Sequence, residues 1–267
     1  MKLHYFSLSI VLALGIVLLA CGGSDNGESP TFDSPVIDDR STVELTWWGQ
    51  AMFVLTTADG TRVLLDPYSE IGYRVPTAED LAADVVTVSH DHPDHSNVTL
   101  GGDATVLRGL TADGWASNDE TFSDTRIFSI DAFHDDSGGS ERGRNALFVI
   151  ETAGLRIAHL GDLGQAELTQ VQLDALGQID LLMIPVGGIF TIDADGATSI
   201  VTQISPRIVV PMHYKTDAVN IRQLRPIGPF LASKNARDIA SSTVGFDVDA
   251  LPEPGTAEIW VLEPAGG

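Results

Sequence analysis

An apolar run, Val85-Val86-Thr87-Val88, ends in Ser89-His90-Asp91-His92-Pro93-Asp94-His95-Ser96. The run reads as a buried strand that delivers a cluster of side chains into the loop behind it. Three histidines and two aspartates occupy the six positions from His90 to His95, in a chain with 7 histidines in all. Imidazole nitrogens and carboxylate oxygens are ligands for zinc and other first-row divalent ions. Alternate residues of an extended segment share a side, which puts His90 and His92 together. Pro93 keeps His92 extended and helps turn the chain before Asp94 and His95. The competing reading is a polar surface loop that happens to be rich in histidine.

The same pattern recurs along the chain. Val43–Trp48 and Met52–Thr56 are strand candidates, and Asp59-Gly60 is a hairpin signal leading to Arg62-Val63-Leu64-Leu65-Asp66-Pro67. Thr105–Leu107 and Arg126–Ile130 are strand candidates, the second followed by Phe133-His134. A polar, Gly-rich loop from Ser137 to Arg144 precedes Ala146–Glu151, and Ala153-Gly154 turns into Leu155-Arg156-Ile157-Ala158-His159-Leu160-Gly161-Asp162. The second half then changes rhythm. Glu167–Leu176 has helical spacing and stops at Gly177, Ile179–Pro185 reads as a buried strand, and Ala194–Ile204 as a second helix. Arg207–Pro211 is a strand that runs into Met212-His213, and Ala257–Leu262 is the last one. Hairpins followed by alternating strands and helices predict an α/β fold of two mixed sheets with helices packed outside.

Five apolar runs thus end in a potential ligand: Asp66, the 90–95 cluster, His134, Asp162 and His213. Taken singly, an Asp before Pro is a turn, a His after a strand is structural, and Gly-Asp is a loop. Together they describe strand ends gathered along one sheet edge, which is how a rigid scaffold presents a site on loops.

The order and spacing resemble the metallo-β-lactamase fold superfamily over nearly all of Val43 to Leu262. The hallmark His-x-His-x-Asp-His is matched by His90, His92, Asp94 and His95. Ala158–Gly164, Ile184-Pro185-Val186-Gly187-Gly188 and Val210–Thr216 look like the ascorbate-6-phosphate lactonase-like branch, which has N-acyl-phosphatidylethanolamine phospholipase D among its distant relatives. The resemblance implies a four-layer αββα sandwich. It implies two divalent metal ions, Zn or Mn, with His90, His92 and His134 on the first and Asp94, His95 and His213 on the second. Asp162 would bridge them, and Asp66 would support the ligand loop without binding metal. A hydroxide between the metals would be the nucleophile, since bound water's pKa falls from about 15.7 towards about 7. Asp94 would additionally orient the attacking hydroxide, while Asp91 has no place in either ligand set.

Other residues are expected around the chemistry. His159 is a candidate for proton transfer to the leaving group, against a core or supporting histidine. Arg142, Arg144 and Asn145 on the Gly-rich loop, and Lys215 after His213, are candidate substrate contacts, against solvated turns. Phe190 and Thr191 are candidates to line a pocket, against plain packing.

The N-terminus carries a different message. Lys2, an apolar stretch from Phe6 to Ala20, and Leu18-Leu19-Ala20-Cys21 followed by Gly22-Gly23 read as a secretory signal. The ending resembles a bacterial lipobox, which implies cleavage before Cys21 and its lipidation. The alternative, a plain membrane anchor, has a short apolar run for a span. The expected organisation is a signal peptide over 1–20, a flexible tether over 21–42 and a hydrolase domain over 43–265. Cys21 is the single cysteine, so no disulfide forms within the chain. The formal net charge of −22 repels phosphate backbones and argues against a nucleic-acid partner. The expected protein is a metal-dependent hydrolase, lipid-anchored outside the cytoplasm, cleaving a lactone, ester or amide of a small molecule. The alternatives are a phospholipase D-like phosphodiesterase on the same site and a non-catalytic metal-binding surface lipoprotein. Oligomeric state is left open.

Overall fold

The computed structural model describes residues 42–267. The expected signal segment, Cys21 and the tether up to residue 41 lie outside the described residues. Fourteen strands follow: β1 Thr42–Gly49, β2 Met52–Thr56, β3 Arg62–Leu65, β4 Val85–Val88, β5 Thr105–Arg108, β6 Asp119–Phe122 and β7 Thr125–Phe133. The others are β8 Arg144–Thr152, β9 Leu155–His159, β10 Leu181–Pro185, β11 Ile208–Met212, β12 Ala236–Ile239, β13 Thr243–Asp247 and β14 Glu258–Leu262. Four short helices accompany them: α1 Ala78–Leu81, α2 Gln170–Leu176, α3 Ala194–Ile204 and α4 Gly228–Leu231.

The strands form two mixed sheets, a six-stranded one in the order β13-β1-β2-β3-β4-β5 and an eight-stranded one in the order β12-β14-β11-β10-β9-β8-β7-β6. Alternation along the strands explains the layers. Val43, Leu45 and Trp47 of β1, with Phe53 and Leu55 of β2, join a cluster that includes Phe148, Ile150 and Ile157 of the opposite sheet. Their neighbours Trp48, Met52, Val54 and Leu64 form a second cluster with Val86, Tyr68 and Leu81 of α1. The six-stranded sheet is therefore apolar on both faces, one against its partner sheet and one under α1 and the loops beside it. On the far side of the eight-stranded sheet α3 buries Ala197, Ile200 and Ile204, one helical stripe, and α2 buries Leu176.

The helix predicted over 167–176 starts later, at Gln170, because Thr169 caps it. The Thr169 hydroxyl accepts from the Gln172 amide, and the Gln172 side chain accepts from the Thr169 amide, a reciprocal box that fixes the first turn. Gly177 ends the helix at a φ of 60°. Three strands without a clear sequence signal, β6, β12 and β13, lie at sheet edges.

Strand direction decides where the site forms. β3 and β4 are parallel, and so are β9, β10 and β11. β7 is antiparallel to β8, which is antiparallel to β9, so β7 runs with β9. The C-terminal ends of β7, β9 and β11 thus share one edge of the eight-stranded sheet. The ends of β3 and β4 meet them from the other sheet, where the Ala146 amide of β8 donates to the Ser89 carbonyl at 3.0 Å.

Candidate metal centre

Tight backbone geometry delivers each potential ligand. After β4 the His95 amide donates to the His92 carbonyl at 3.0 Å and closes the turn that Pro93 begins. After β9 the chain turns through Gly161 at a φ of 52°, and a Cβ there would lie 2.5 Å from Asn145 Oδ1 and 2.6 Å from Ser89. Only glycine fits immediately before Asp162. After β11, His213 itself takes a φ of 52°, and its carbonyl packs where a Cβ on Gly187 would stand, at 2.1 Å.

These turns bring the seven side chains into one cluster. Asp162 is central. Its Oδ2 lies 3.3 Å from His134 Nε2 and 3.8 Å from His90 Nε2, and its Oδ1 lies 3.2 Å from both His95 Nε2 and His213 Nε2. His90 Nε2 is 3.0 Å from His92 Nδ1, and Asp94 Oδ2 is 3.5 Å from His95 Nε2 and 4.0 Å from His213 Nε2. His90, His92 and His134 form one triad of convergent ligand atoms, and Asp94, His95 and His213 a second. The Asp162 carboxylate has one oxygen toward each.

The donor set fits a divalent cation. His90, His95, His134, Asp162 and His213 are each 2% exposed or less. Yet His95 Nε2, Asp162 Oδ1 and His213 Nε2 have no hydrogen-bond partner among the described residues. Buried polar atoms are ordinarily satisfied, and a buried carboxylate ringed by imidazole nitrogens is a donor set that a divalent cation satisfies. Asp66 also approaches His90 and His95 closely enough to form a third group. Its oxygens are already engaged: Oδ1 accepts from the Ser89 amide at 2.7 Å, and Oδ2 faces the Ser89 hydroxyl at 2.5 Å and His95 Nδ1 at 2.9 Å. This carboxylate fixes the ring whose other nitrogen points into the cluster, the arrangement by which supporting groups orient a metal-binding histidine.

Charge and burial pull the metal-free cluster in different directions. Burial and the neighbouring His95 push His90 well below the usual imidazole range. Burial opposes protonation of His95 as well, but the Asp162 and Asp94 carboxylates hold it well above that range, so it carries a proton at pH 7. A metal arriving at His95 must displace that proton. Metal uptake by stripped protein at pH 7 is therefore expected to release about one proton from this ring, with apparent affinity falling as the pH drops. Calorimetric titration in two buffers of different ionisation enthalpy measures the release; a buffer-independent heat would contradict it.

Among the other candidates, Asp91 turns outward and pairs with Arg108 at 2.6 Å. His159, a candidate for proton transfer, does not reach the pocket. It is fully buried, with Nε2 2.9 Å from the Ala51 carbonyl and Nδ1 accepting from the Gly161 amide at 3.3 Å. Both ring nitrogens are spent on backbone, which makes it a brace beneath the Gly161 turn. Asn145 is likewise fully buried, accepting from the Asp162 amide at 3.1 Å and donating to the Leu160 carbonyl at 2.9 Å. It positions Asp162 and cannot touch a substrate. Arg144 lies over the Trp115 ring at 5.1 Å, outside the pocket, and Lys215 donates to the Val219 carbonyl. Thr191 turns its hydroxyl to the Ile192 carbonyl, while Phe190 and Arg142 do line the pocket.

The sequence gives little warning of two further features. The first is Asp135, which accepts from the amides of Ser137, Gly139, Glu141 and Arg142 at 2.6–2.9 Å. Burial alone would raise its carboxyl, but these four donors hold it down at about 2. The loop that carries Glu141, Arg142 and Gly143 to the pocket is thereby built on one side chain. The second is Gln50, at the β1–β2 turn with a φ of 51°. It is fully buried, donates from Nε2 to Asp94 Oδ2 at 3.0 Å, and accepts the His213 amide on its backbone carbonyl at 3.1 Å. One residue thus holds two members of the second triad. Gln50→Ala is expected to weaken metal binding at the Asp94–His95–His213 triad about 10- to 100-fold and leave binding at the His90–His92–His134 triad nearly unchanged. Competition with a chromogenic chelator checks it; equal weakening of both sites would contradict it.

Two apposed mixed sheets whose strand ends converge on a buried His/Asp cluster define the class of protein: a metallo-β-lactamase fold with a metal-type centre. The family model of the beta-lactamase superfamily domain matches residues 44–213, and the chain belongs to that superfamily. A UPF0173 metal-dependent hydrolase of Methanosarcina mazei is 31% identical over 203 residues, covering 68% of this chain and 86% of that protein. Its counterpart from Thermococcus onnurineus is 30% identical over 199 residues, 65% of this chain and 85% of that one. Among solved structures, a Thermotoga maritima protein assigned to the Zn-dependent hydrolases of the metallo-β-lactamase superfamily shares 28% identity. It superposes with a TM-score of 0.61 over 83% of this chain and 98% of that chain.

Proposed function

We propose that this metal-dependent hydrolase cleaves a carbonyl-centred bond (a lactone, ester or amide) in a small molecule at a two-metal centre. The observation that carries the reading is Asp162, whose two oxygens face two separate triads. His90, His92 and His134 would hold one ion, and Asp94, His95 and His213 the other, with Asp162 shared. When bound, two dications, Zn or Mn, supply a water acidified to nucleophilic strength near neutral pH and charge to polarise the scissile oxygen.

The chain's own residues do the rest. Asp94 is half-buried and lines the pocket, and the Gln50 donor fixes its carboxylate. It is thereby placed to accept a hydrogen bond from the attacking water and orient it. Arg142 is the single Lys or Arg side chain on this pocket's wall, and Glu141 stands 3.6 Å from it. A neighbouring carboxylate offsets that charge, so the wall suits a neutral carbonyl compound better than a phosphodiester. The segments around Asp162, Gly187 and His213 favour the lactonase-like branch. On the Lys2–Cys21 segment the enzyme is anchored outside the cytoplasm through lipid on Cys21. Radiolabelled palmitate should then mark the wild type and not Cys21→Ala.

A panel of lactones, esters, amides and phosphodiesters, run on Zn- and Mn-loaded protein, tests the reaction. Turnover of a carbonyl substrate that stops on chelation is the expected result. Turnover of phosphodiesters alone would overturn the bond assignment.

A further inference from the structure

The pocket before the ligand cluster has two unlike walls. Glu141, Arg142 and Gly143 form the polar one, and Ile71, Phe190 and Ile221 the apolar one. Ile71 comes from the connection between β3 and α1, Phe190 from that between β10 and α3, and Ile221 from that between β11 and α4. All three are half-buried, packed at the margin of the second core cluster with one side left open to the pocket. Ile189, 44% exposed, stands next to Phe190 in the chain and is one of the few large exposed apolar side chains among the described residues.

This wall is built rather than incidental. The Asn220 amide donates to the Ile71 carbonyl at 2.9 Å, and Tyr73 Oη lies 2.7 Å from Thr216 Oγ1. Gly72 admits the Ala218 carbonyl to a point 2.4 Å from where a Cβ would stand. The Phe190 amide donates to the Gly188 carbonyl at 2.8 Å, and the Arg225 amide ties the same region together through the Gly187 carbonyl at 2.9 Å. Three loops are therefore fastened to one another and hold aliphatic and aromatic surface against water, which costs free energy unless something covers it. Hydrolysis at the ligand cluster does not itself need an apolar wall. His92, Asp94, His134, Asp162 and His213 line the same pocket, so whatever lies on the wall also reaches the cluster.

We propose that the Ile71–Phe190–Ile221 wall seats an alkyl or aryl group attached to the scissile carbonyl, making the enzyme selective for substrates with an apolar acyl side. The inference rests on the hydrolase reading above. The cavity volume, about 620 Å³, lies in the range of small-molecule sites. A polar sugar-like group at this position would lose its water against Ile71 and Ile221 without gaining partners.

Two measurements on the metal-loaded full chain test it. The first is kcat/KM along a series of esters of one alcohol, from acetyl to octanoyl. It is expected to rise about two- to fourfold per methylene until the wall is filled. In Phe190→Ala and in Ile221→Asn the ratio of hexanoyl to acetyl turnover should fall at least fivefold. The second is calorimetric binding of the straight-chain carboxylates from acetate to octanoate, which needs no turnover. Affinity should climb with chain length in the wild type and flatten in both variants. A flat profile in both measurements would overturn the proposal while leaving a working hydrolase. Chain-length-dependent binding with no turnover of any substrate would sustain the wall and sink the hydrolase reading.

Discussion

Replacing Asp162 with Ala is expected to lower turnover by at least the order of 10²–10³-fold that follows loss of one fixed charge-stabilising group. It should also remove metal from both sites. Its carboxylate faces both triads, with Oδ2 3.3 Å from His134 and Oδ1 3.2 Å from both His95 and His213. Without the carboxylate the four imidazoles around it lose their shared anion, and two dications would be brought together with less negative charge between them. Burial alone would raise the Asp162 carboxyl, but His213 and His95 hold it well below the ordinary range, which favours the carboxylate that a cation needs. Asp162→Asn keeps the shape and removes the charge, and should resemble Ala in metal content. Elemental analysis and kinetics on both variants measure this; full activity in either would contradict the shared-carboxylate assignment.

The second large effect falls on stability. Asp66→Ala, measured in metal-stripped protein, is expected to cost about 3–5 kcal/mol at pH 7, the usual loss when one partner of a buried charged pair is removed. The carboxylate is fully buried, and its removal strands the Ser89 amide and His95 Nδ1 and leaves the Ser89 hydroxyl with His90 Nδ1 alone. The sign with pH follows from its titration. Burial alone would raise the Asp66 carboxyl, but the His95 hydrogen bond and the nearby imidazoles bring it below the usual value. Such a group contributes stability above its unfolded pKa of about 3.9, and that contribution is lost as the pH falls through the lower folded value. The gap between wild type and variant should therefore be widest near neutrality and narrow in acid below about pH 4. Urea unfolding at pH 7 and pH 3.5 reads both quantities, and a gap that does not change with pH would contradict a stabilising Asp66 carboxylate.

What the sequence displays and what it hides follows from the range of the interactions. Interior strands such as β4, β8 and β10 are nearly continuous apolar runs because both faces are covered, and such runs are visible in isolation. Edge strands are not. Asp119-Glu120-Thr121-Phe122 of β6 and Ala236-Arg237-Asp238-Ile239 of β12 have no buried residue, so nothing forces an apolar pattern on them. The ligands are legible because each ends a strand, and parallel strands carry their ends to one edge. Gln50 is illegible because its meaning is a contact to Asp94, 44 positions away. Arg144 and Asn145 show the limit of adjacency: alternation in β8 sends one outward over Trp115 and the other inward to brace Asp162. His159 stands three residues before Asp162, a spacing that suggests a place at the site, but the strand it ends buries it.

In the proposed centre, this cluster holds two divalent ions on which hydrolysis depends. Metal content and turnover measured together on the same protein, during titration of Zn or Mn into chelator-stripped enzyme, test it most directly. Binding is expected to saturate near two ions per chain, with activity absent at the start and restored as the sites fill. A folded protein that takes up no metal, or one that hydrolyses its substrate while stripped, would contradict it.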